Sequence, residues 1–242
     1  MLLVKPAGGD CNLACRYCFY HLHGKGRMSD ALAARTVNSY MMQPILRHAI
    51  CFQGGEPMLM PIDFYRRLDF FGCDVSIQTN GTLVTREWAE FFARNRWLVG
   101  VSLDGPRDIN EKTRGHTDEA IRGIRLLEEY GVEFNILTVV SPENCNRLDE
   151  VDDYLKRNFA ARRIQYIREN GSKVDWWSEE EADCCGKYLV VEHDGSVYPC
   201  DFYVGEEYRL GNVQTDSWAK MLDHKFNFKQ DGKCPQINNR KE

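Results

Sequence analysis

No apolar run among the 242 residues approaches the ~20 needed to cross a bilayer, so no membrane-spanning segment is expected. The apolar opening, MLLV, is too short for a secretory leader, and Lys5 follows it instead of preceding it. A surplus of positive charge is also missing. The 31 Lys and Arg stand against 36 Asp and Glu, a net charge of −5, which argues against a nucleic-acid-binding surface. There is no internal repeat and no low-complexity segment, which leaves no basis for a solenoid or a long disordered linker. These absences place the chain in the cytoplasm, with neither membrane nor nucleic acid as a partner. At 43% hydrophobic and 28% charged residues it reads as a globular protein, long enough for one sizeable core or a barrel with a small appendage.

Cysteine, by contrast, is plentiful: ten residues, which in a reducing compartment suggests metal or redox chemistry more than a disulfide scaffold. Cys11, Cys15 and Cys18 stand together in CNLACRYC, and the next cysteine is Cys51. A [4Fe–4S] cluster is normally held by four thiolates, so three protein ligands leave one iron open to a small molecule. Zinc is the other reading of the same residues, with His21 or His23 as a fourth ligand. Cys51, Cys73 and Cys145 stand alone in apolar or helical surroundings and read as small packing residues.

Along the chain, apolar runs alternate with helix-length segments. Strands are expected at Leu2–Lys5, Ala49–Gln53, Val75–Thr79, Leu98–Leu103, Glu133–Val140 and Arg163–Ile167. Helices are expected near Ser29–Arg47, Pro61–Phe71, Arg86–Arg94, Thr117–Tyr130 and Asn146–Asn158, with Ser29 and Thr85 as N-caps and Gly131 as a stop. Six such units imply a parallel sheet in a partial (β/α)6 barrel, with a doubly wound sheet as the alternative. The cysteine run, Gly54–Pro57, Asn80-Gly81 and Asp104–Pro106 each follow a strand, where parallel α/β folds gather ligands, and are expected on one rim. Further on, His193-Asp194-Gly195 between Tyr188–Glu192 and Ser196–Phe202 signals a hairpin, followed by a helix near Asp216–His224. The expected domains are a barrel at 1–168, a linker at 169–186 and a C-terminal region at 187–242.

The motifs CNLACRYCFY, FQGGEPML, IQTNGTL, VSLDGP, VEFNILTVV and DGSVYPCDFYV resemble those of anaerobic sulfatase-maturating enzymes. These are radical S-adenosylmethionine (SAM) proteins with a C-terminal SPASM domain. The resemblance covers Leu2 to about Ile167 and about Tyr188 to Leu222. It implies an α/β radical SAM partial barrel carrying a truncated SPASM-like hairpin and helix. It also implies that Cys11, Cys15 and Cys18 hold a [4Fe–4S] cluster to which SAM binds, with Tyr17, Gly55, Ser102 and Arg114 contacting SAM. Gly55 would let backbone approach the ligand, Arg114 would pair with the SAM carboxylate, and Glu56, Gln53 and Asn80 would line the same rim. Without the resemblance, Ser102 reads as a strand hydroxyl and Arg114 as a surface cation.

The implied activity is oxidation of a cysteine or serine of a sulfatase to formylglycine through a 5′-deoxyadenosyl radical. A low-potential donor, flavodoxin or ferredoxin, would supply the electron, and Asp201 in PCDFY would be the base. By itself Asp201 reads as a hairpin-end residue capping backbone N–H groups. The family's two auxiliary clusters need eight cysteines, whereas this chain offers Cys184, Cys185, Cys200 and Cys234. A second auxiliary cluster is not expected for want of ligands, and one cluster from Cys185, Cys200 and Cys234, with Cys184 as an optional fourth ligand, stands against zinc or no metal there. Two other functions fit the residues: another SPASM-type peptide maturase, for example thioether-forming, or a decayed binding protein that is zinc-bound or metal-free.

Overall fold

In the computed structural model, residues 1–169, 174 and 186–223 are described, without the side chains of His21 and Leu22. Cys184, Cys185 and Cys234 lie outside the described residues, as does nearly all of the expected linker. The elements run β1 (Leu2–Val4), α1 (Asp30–Met41), β2 (His48–Phe52), α2 (Ile62–Arg66), β3 (Cys73–Thr79), α3 (Arg86–Asn95), β4 (Leu98–Ser102) and α4 (Arg107–Thr113). They continue with α5 (Thr117–Glu129), β5 (Phe134–Val140), α6 (Leu148–Asn158), β6 (Arg163–Arg168), β7 (Leu189–Val191), β8 (Ser196–Tyr198), β9 (Gly211–Asn212) and α7 (Trp218–Leu222). Two compact units divide the chain, one of Met1–Cys11, Tyr20–Ser76 and Cys184–Cys234, the other of Asn12–Phe19, Ile77–Asp183 and Pro235–Glu242. The division falls inside β3 and inside the cysteine run.

In the first unit β1 is a central strand, parallel to both β2 and β7, while β7, β8 and β9 form an antiparallel meander. The register aligns Leu3 with Cys51 on one side and with Val190 on the other. Because side chains alternate along a strand, these three share one face, and Leu3, Val190 and Tyr198 form an apolar cluster there with Cys51, Tyr188, Val204 and Tyr208 packed against it. Cys51 thus packs against this cluster, though like Cys73 and Cys145 it is only half-buried.

Helix α1 starts where expected, Ser29 Oγ accepting from Leu32 N at 3.2 Å. It ends at Met41, six residues short of the expected Arg47, because Pro44 cannot continue a helix and restricts the residue before it. Helix α2 is likewise shorter than expected. Beyond it, Asp69 accepts from Phe71 N at 3.1 Å, a local bond that competes with helix.

In the second unit β4, β5 and β6 are parallel neighbours. Helix α3, capped by Thr85, buries Trp88, Phe91 and Phe92, and the Phe91 and Trp97 rings meet edge-on at 5.1 Å. Gly131 follows α5 at φ +65°, as the sequence suggests. Helix α4 was not expected: RDINEKT has a single large apolar residue, yet it buries Asn110 and Thr113 beside Ile109. Among the described residues, no helix is long and apolar enough to cross a membrane.

These packing relations rank two substitutions. Phe92→Ala empties a fully buried site and is expected to cost about 3–5 kcal/mol, whereas Ser29→Ala removes one cap bond and costs about 1 kcal/mol. Urea unfolding of the two variants checks the order.

Candidate active site

In the first unit the loop after β2 is bonded to the loop after β1 by main chain alone. Gly55 N donates to Gly8 O at 2.8 Å, and Glu56 N to Asp10 O at 2.7 Å. A Cβ on Gly55 would stand 1.9 Å from Asp10 O and 2.8 Å from the Gly9 carbonyl carbon. Only glycine allows that approach, and it fixes the backbone just before Cys11. Glu56 is fully buried and caps the turn Pro57–Leu59, accepting from Met58 N at 3.0 Å.

The same unit carries Asp201. Its Oδ1 lies 2.6 Å from Lys5 Nζ and accepts from the Tyr20 hydroxyl at 2.5 Å; Oδ2 accepts from Gln53 Nε2 at 3.3 Å. These partners are side chains, not the backbone N–H groups that a hairpin-end Asp would cap. Lys5 Nζ also stands 4.6 Å from the centre of the Tyr20 ring, in cation–π range. Burial first, then the negative charge of Asp201, pushes the Tyr20 phenol well above its usual pKa, so it remains a donor. Beside Asp201, Cys200 is buried with its Sγ 3.7 Å from the Tyr188 hydroxyl. His23, one of the candidate zinc ligands, lies 3.5 Å from Glu192.

In the second unit Tyr17 is held between opposite charges. Its hydroxyl donates to Asp104 Oδ2 at 2.7 Å and accepts from Arg114 Nη1 at 2.7 Å. Asp104 is fully buried, and its Oδ1 accepts from Val139 N at 3.0 Å. Burial opposes the Arg114 charge, yet Tyr17, Cys15 and Asp104 together raise its pKa. Arg114 is therefore no free surface cation. The Cys15 thiol is pushed up by burial and drawn partly back by Arg114. Ser102 accepts from Gln78 Nε2 at 2.9 Å. Asn80 Nδ2 donates to Asn12 Oδ1 at 2.9 Å, and Asn12 Nδ2 donates to Thr82 Oγ1 at 2.9 Å, which ties the loop after β3 to the residue following Cys11. Each of these groups lies at or beyond the carboxyl end of its own strand.

Cys11 is exposed, Cys15 and Cys18 are half-buried, and none of the three is in a disulfide among the described residues. Cys11 falls in the first unit and the other two in the second. Among the described residues, no three His, Cys, Asp or Glu side chains gather around a single ion. Three thiols in a C-x3-C-x2-C run are a soft donor set that fits an iron–sulfur cluster. Lys5 has no expected site role, and Asp104 is expected only as part of the rim, with no role of its own. The available signal for Lys5 was a charge closing the apolar strand LLVK.

The family model for the Radical SAM superfamily matches residues 6–155, and that for the SPASM iron-sulfur cluster-binding domain matches residues 184–241. The chain belongs to the radical SAM superfamily, and its α/β fold is the radical SAM fold. Within the superfamily its relatives are anaerobic sulfatase-maturating enzymes. It is 31% identical to the cysteine-type enzyme of Clostridium novyi (strain NT), over 92% of this chain and 79% of that protein. It is 28% identical to the serine-type enzyme of Bacteroides thetaiotaomicron, over 91% and 74%. Among solved structures, native anSMEcpe with bound AdoMet superposes with a TM-score of 0.81 at 28% identity, covering 98% of this chain and 82% of that one. SuiB of Streptococcus suis bound to precursor peptide SuiA, at 15% identity and TM-score 0.75 over 96% and 66%, shares the fold alone. The chain is a radical SAM oxidoreductase, with an iron–sulfur cluster and SAM as its cofactors.

Two outcomes are expected from the site geometry. Gly55→Ala drives Cβ into main chain that no rotamer change can move, so iron bound per chain after anaerobic reconstitution falls well below wild type. The Tyr17, Tyr20 and Tyr65 phenols are all raised by burial, so the stabilisation they give is complete below the unfolded phenol's pKa of about 10. It is lost as the pH climbs from there toward the raised folded values. Their tyrosinate absorbance should therefore appear together with loss of near-ultraviolet circular dichroism, in one step.

Proposed function

We propose that this enzyme oxidises a cysteine or serine side chain of a sulfatase polypeptide to formylglycine, with Asp201 as the proton acceptor. The observation that carries the reading is the Asp201 carboxylate, 13% exposed, with Oδ1 engaged by two partners and Oδ2 by one long bond. The cysteine- and serine-type relatives support the substrate class. In this reading Cys11, Cys15 and Cys18 hold the cluster, and Tyr17, Gly55, Glu56, Ser102 and Arg114 form the SAM side of the site. Cys185, Cys200 and Cys234 belong to one auxiliary cluster. Residues 1–168 are the barrel portion and 187–242 the SPASM-like portion, with flavodoxin or ferredoxin as electron donor.

When bound, the cluster and SAM supply the one-electron chemistry that removes a hydrogen atom from the substrate Cβ. The protein's own part is proton transfer and orientation. Asp201 Oδ2 takes the S–H or O–H proton, and the bonding pair stays on sulfur or oxygen. With one further electron passed to a one-electron acceptor, a serine becomes the aldehyde directly. A cysteine becomes a thioaldehyde, which water hydrolyses with release of sulfide. Tyr20 and Gln53 donate to the carboxylate and hold it in place.

The test is anaerobically reconstituted enzyme with SAM, reductant and a Cys-x-Pro-x-Arg peptide, read by mass spectrometry. Wild type is expected to give the aldehyde, and Asp201→Asn to lose at least ~100-fold of that rate. If 5′-deoxyadenosine forms with no aldehyde, the substrate assignment falls; full aldehyde formation by Asp201→Asn removes Asp201 as acceptor.

A further inference from the structure

The unusual group beside Asp201 is a lysine with no access to water. Lys5 follows the last residue of β1, the strand flanked on both sides, and is 0% exposed. Both neighbouring ladders continue past it: Gln53 N donates to Val4 O at 2.9 Å, and Lys5 N to Val191 O at 2.9 Å. Two residues beyond Leu3, Lys5 therefore points to the same sheet face as Leu3, as Gln53 does beyond Cys51. An isolated buried ammonium is costly, and such charges persist when paired. Lys5 Nζ is paired with Asp201 Oδ1 at 2.6 Å by charge, and among the described residues it has no hydrogen-bond acceptor of good geometry. The Tyr20 ring covers it at 4.6 Å.

We infer that Lys5 is the positioning residue for the proton acceptor: its buried ammonium pins Asp201 Oδ1 and so turns Oδ2 toward the substrate side chain. This deepens the proposed function and rests on its reading of Asp201. Three features support the assignment. Oδ1 is occupied by Lys5 and Tyr20 together, so the less engaged oxygen is Oδ2. The lysine directly follows a central strand, with its own N–H bonded to Val191 O and the preceding Val4 O bonded to Gln53 N. Burial also keeps water from the lysine end of the ion pair, so the contact is screened less than a surface pair would be. Lys5 itself acts through Asp201 and exchanges no proton in the step: the S–H or O–H bond breaks, the Oδ2–H bond forms, and the ammonium keeps its three protons.

The test uses loaded enzyme and the cysteine peptide, comparing Lys5→Met, Lys5→Arg, Asp201→Asn and the double variant Lys5→Met/Asp201→Asn. The readout is aldehyde formed per 5′-deoxyadenosine. Lys5→Met should lower this ratio at least ~10-fold with peptide KM little changed, and Lys5→Arg should restore most of it. The double variant should fall no lower than Asp201→Asn alone. In the cluster-free chain, the loss of thermal midpoint in the double variant should be smaller than the sum of the two single losses, because it leaves no buried charge alone. A wild-type ratio in Lys5→Met, or a double-variant loss equal to the product of the two single losses, overturns the inference. If Lys5→Met does not fold, the double variant against Asp201→Asn decides. Failure of the underlying reading shows separately, as a wild-type ratio in Asp201→Asn.

Discussion

The approach of the Gly55–Glu56 main chain to Gly8 and Asp10 is the contact on which the first unit's site depends. Two amide-to-carbonyl bonds tie the loop after β2 to the loop after β1 at the point where the cysteine run begins. Main-chain bonds of this kind have no rotamer freedom to lose and hold position more tightly than side-chain contacts. They also restrict chemistry, since any side chain at position 55 would occupy the space of Asp10 O. With Gly55 in place, Glu56 is drawn into the interior, where its carboxylate caps the next turn.

A second pattern recurs in each unit. Two tyrosines flank Cys18, and each donates to a buried or nearly buried carboxylate that is compensated by a cation: Tyr17 to Asp104 with Arg114, and Tyr20 to Asp201 with Lys5. Carboxylates in such places need hydrogen bonds and counter-charge to persist. The phenols supply the hydrogen bond and anchor the cysteine segment at the same time. Their raised pKa values keep them in the donor form. The two centres differ in how fully their oxygens are committed. Asp104 has both oxygens committed, one to Tyr17 and one to the Val139 amide, and reads as scaffold. Asp201 keeps an oxygen with a single long bond, which supports the proposed role as proton acceptor.

Legibility followed the range of the interaction. The strands and the long amphipathic helices matched expectation to within a few residues, because their period is local and their caps, Ser29 and Thr85, lie within three residues of the amides they satisfy. Helix α4 escaped because its buried face is Asn110 and Thr113, polar residues whose burial depends on partners such as the Thr117 hydroxyl and the Asp104 amide. Strand β9, two residues long, has no period at all and is defined only by pairing with β8. The overrun of α1 came from counting apolar residues past Pro44.

From the sequence by itself came the residues that could carry chemistry, three thiols in a C-x3-C-x2-C run, glycines and acids after successive strands, and an acid beside a hairpin cysteine, and from its resemblance to a family came their expected roles. Partnership came only with the tertiary structure. Tyr20 and Asp201 are 181 residues apart in the chain, and Tyr17 and Asp104 are 87 apart, so no window of sequence contains both members of either pair. Lys5 looked like an ordinary charge at the end of a strand until β2 and β7 closed around it. Hydrophobic period is written in neighbouring residues, whereas the neutralisation of a buried charge is a property of whichever distant group folding brings within reach.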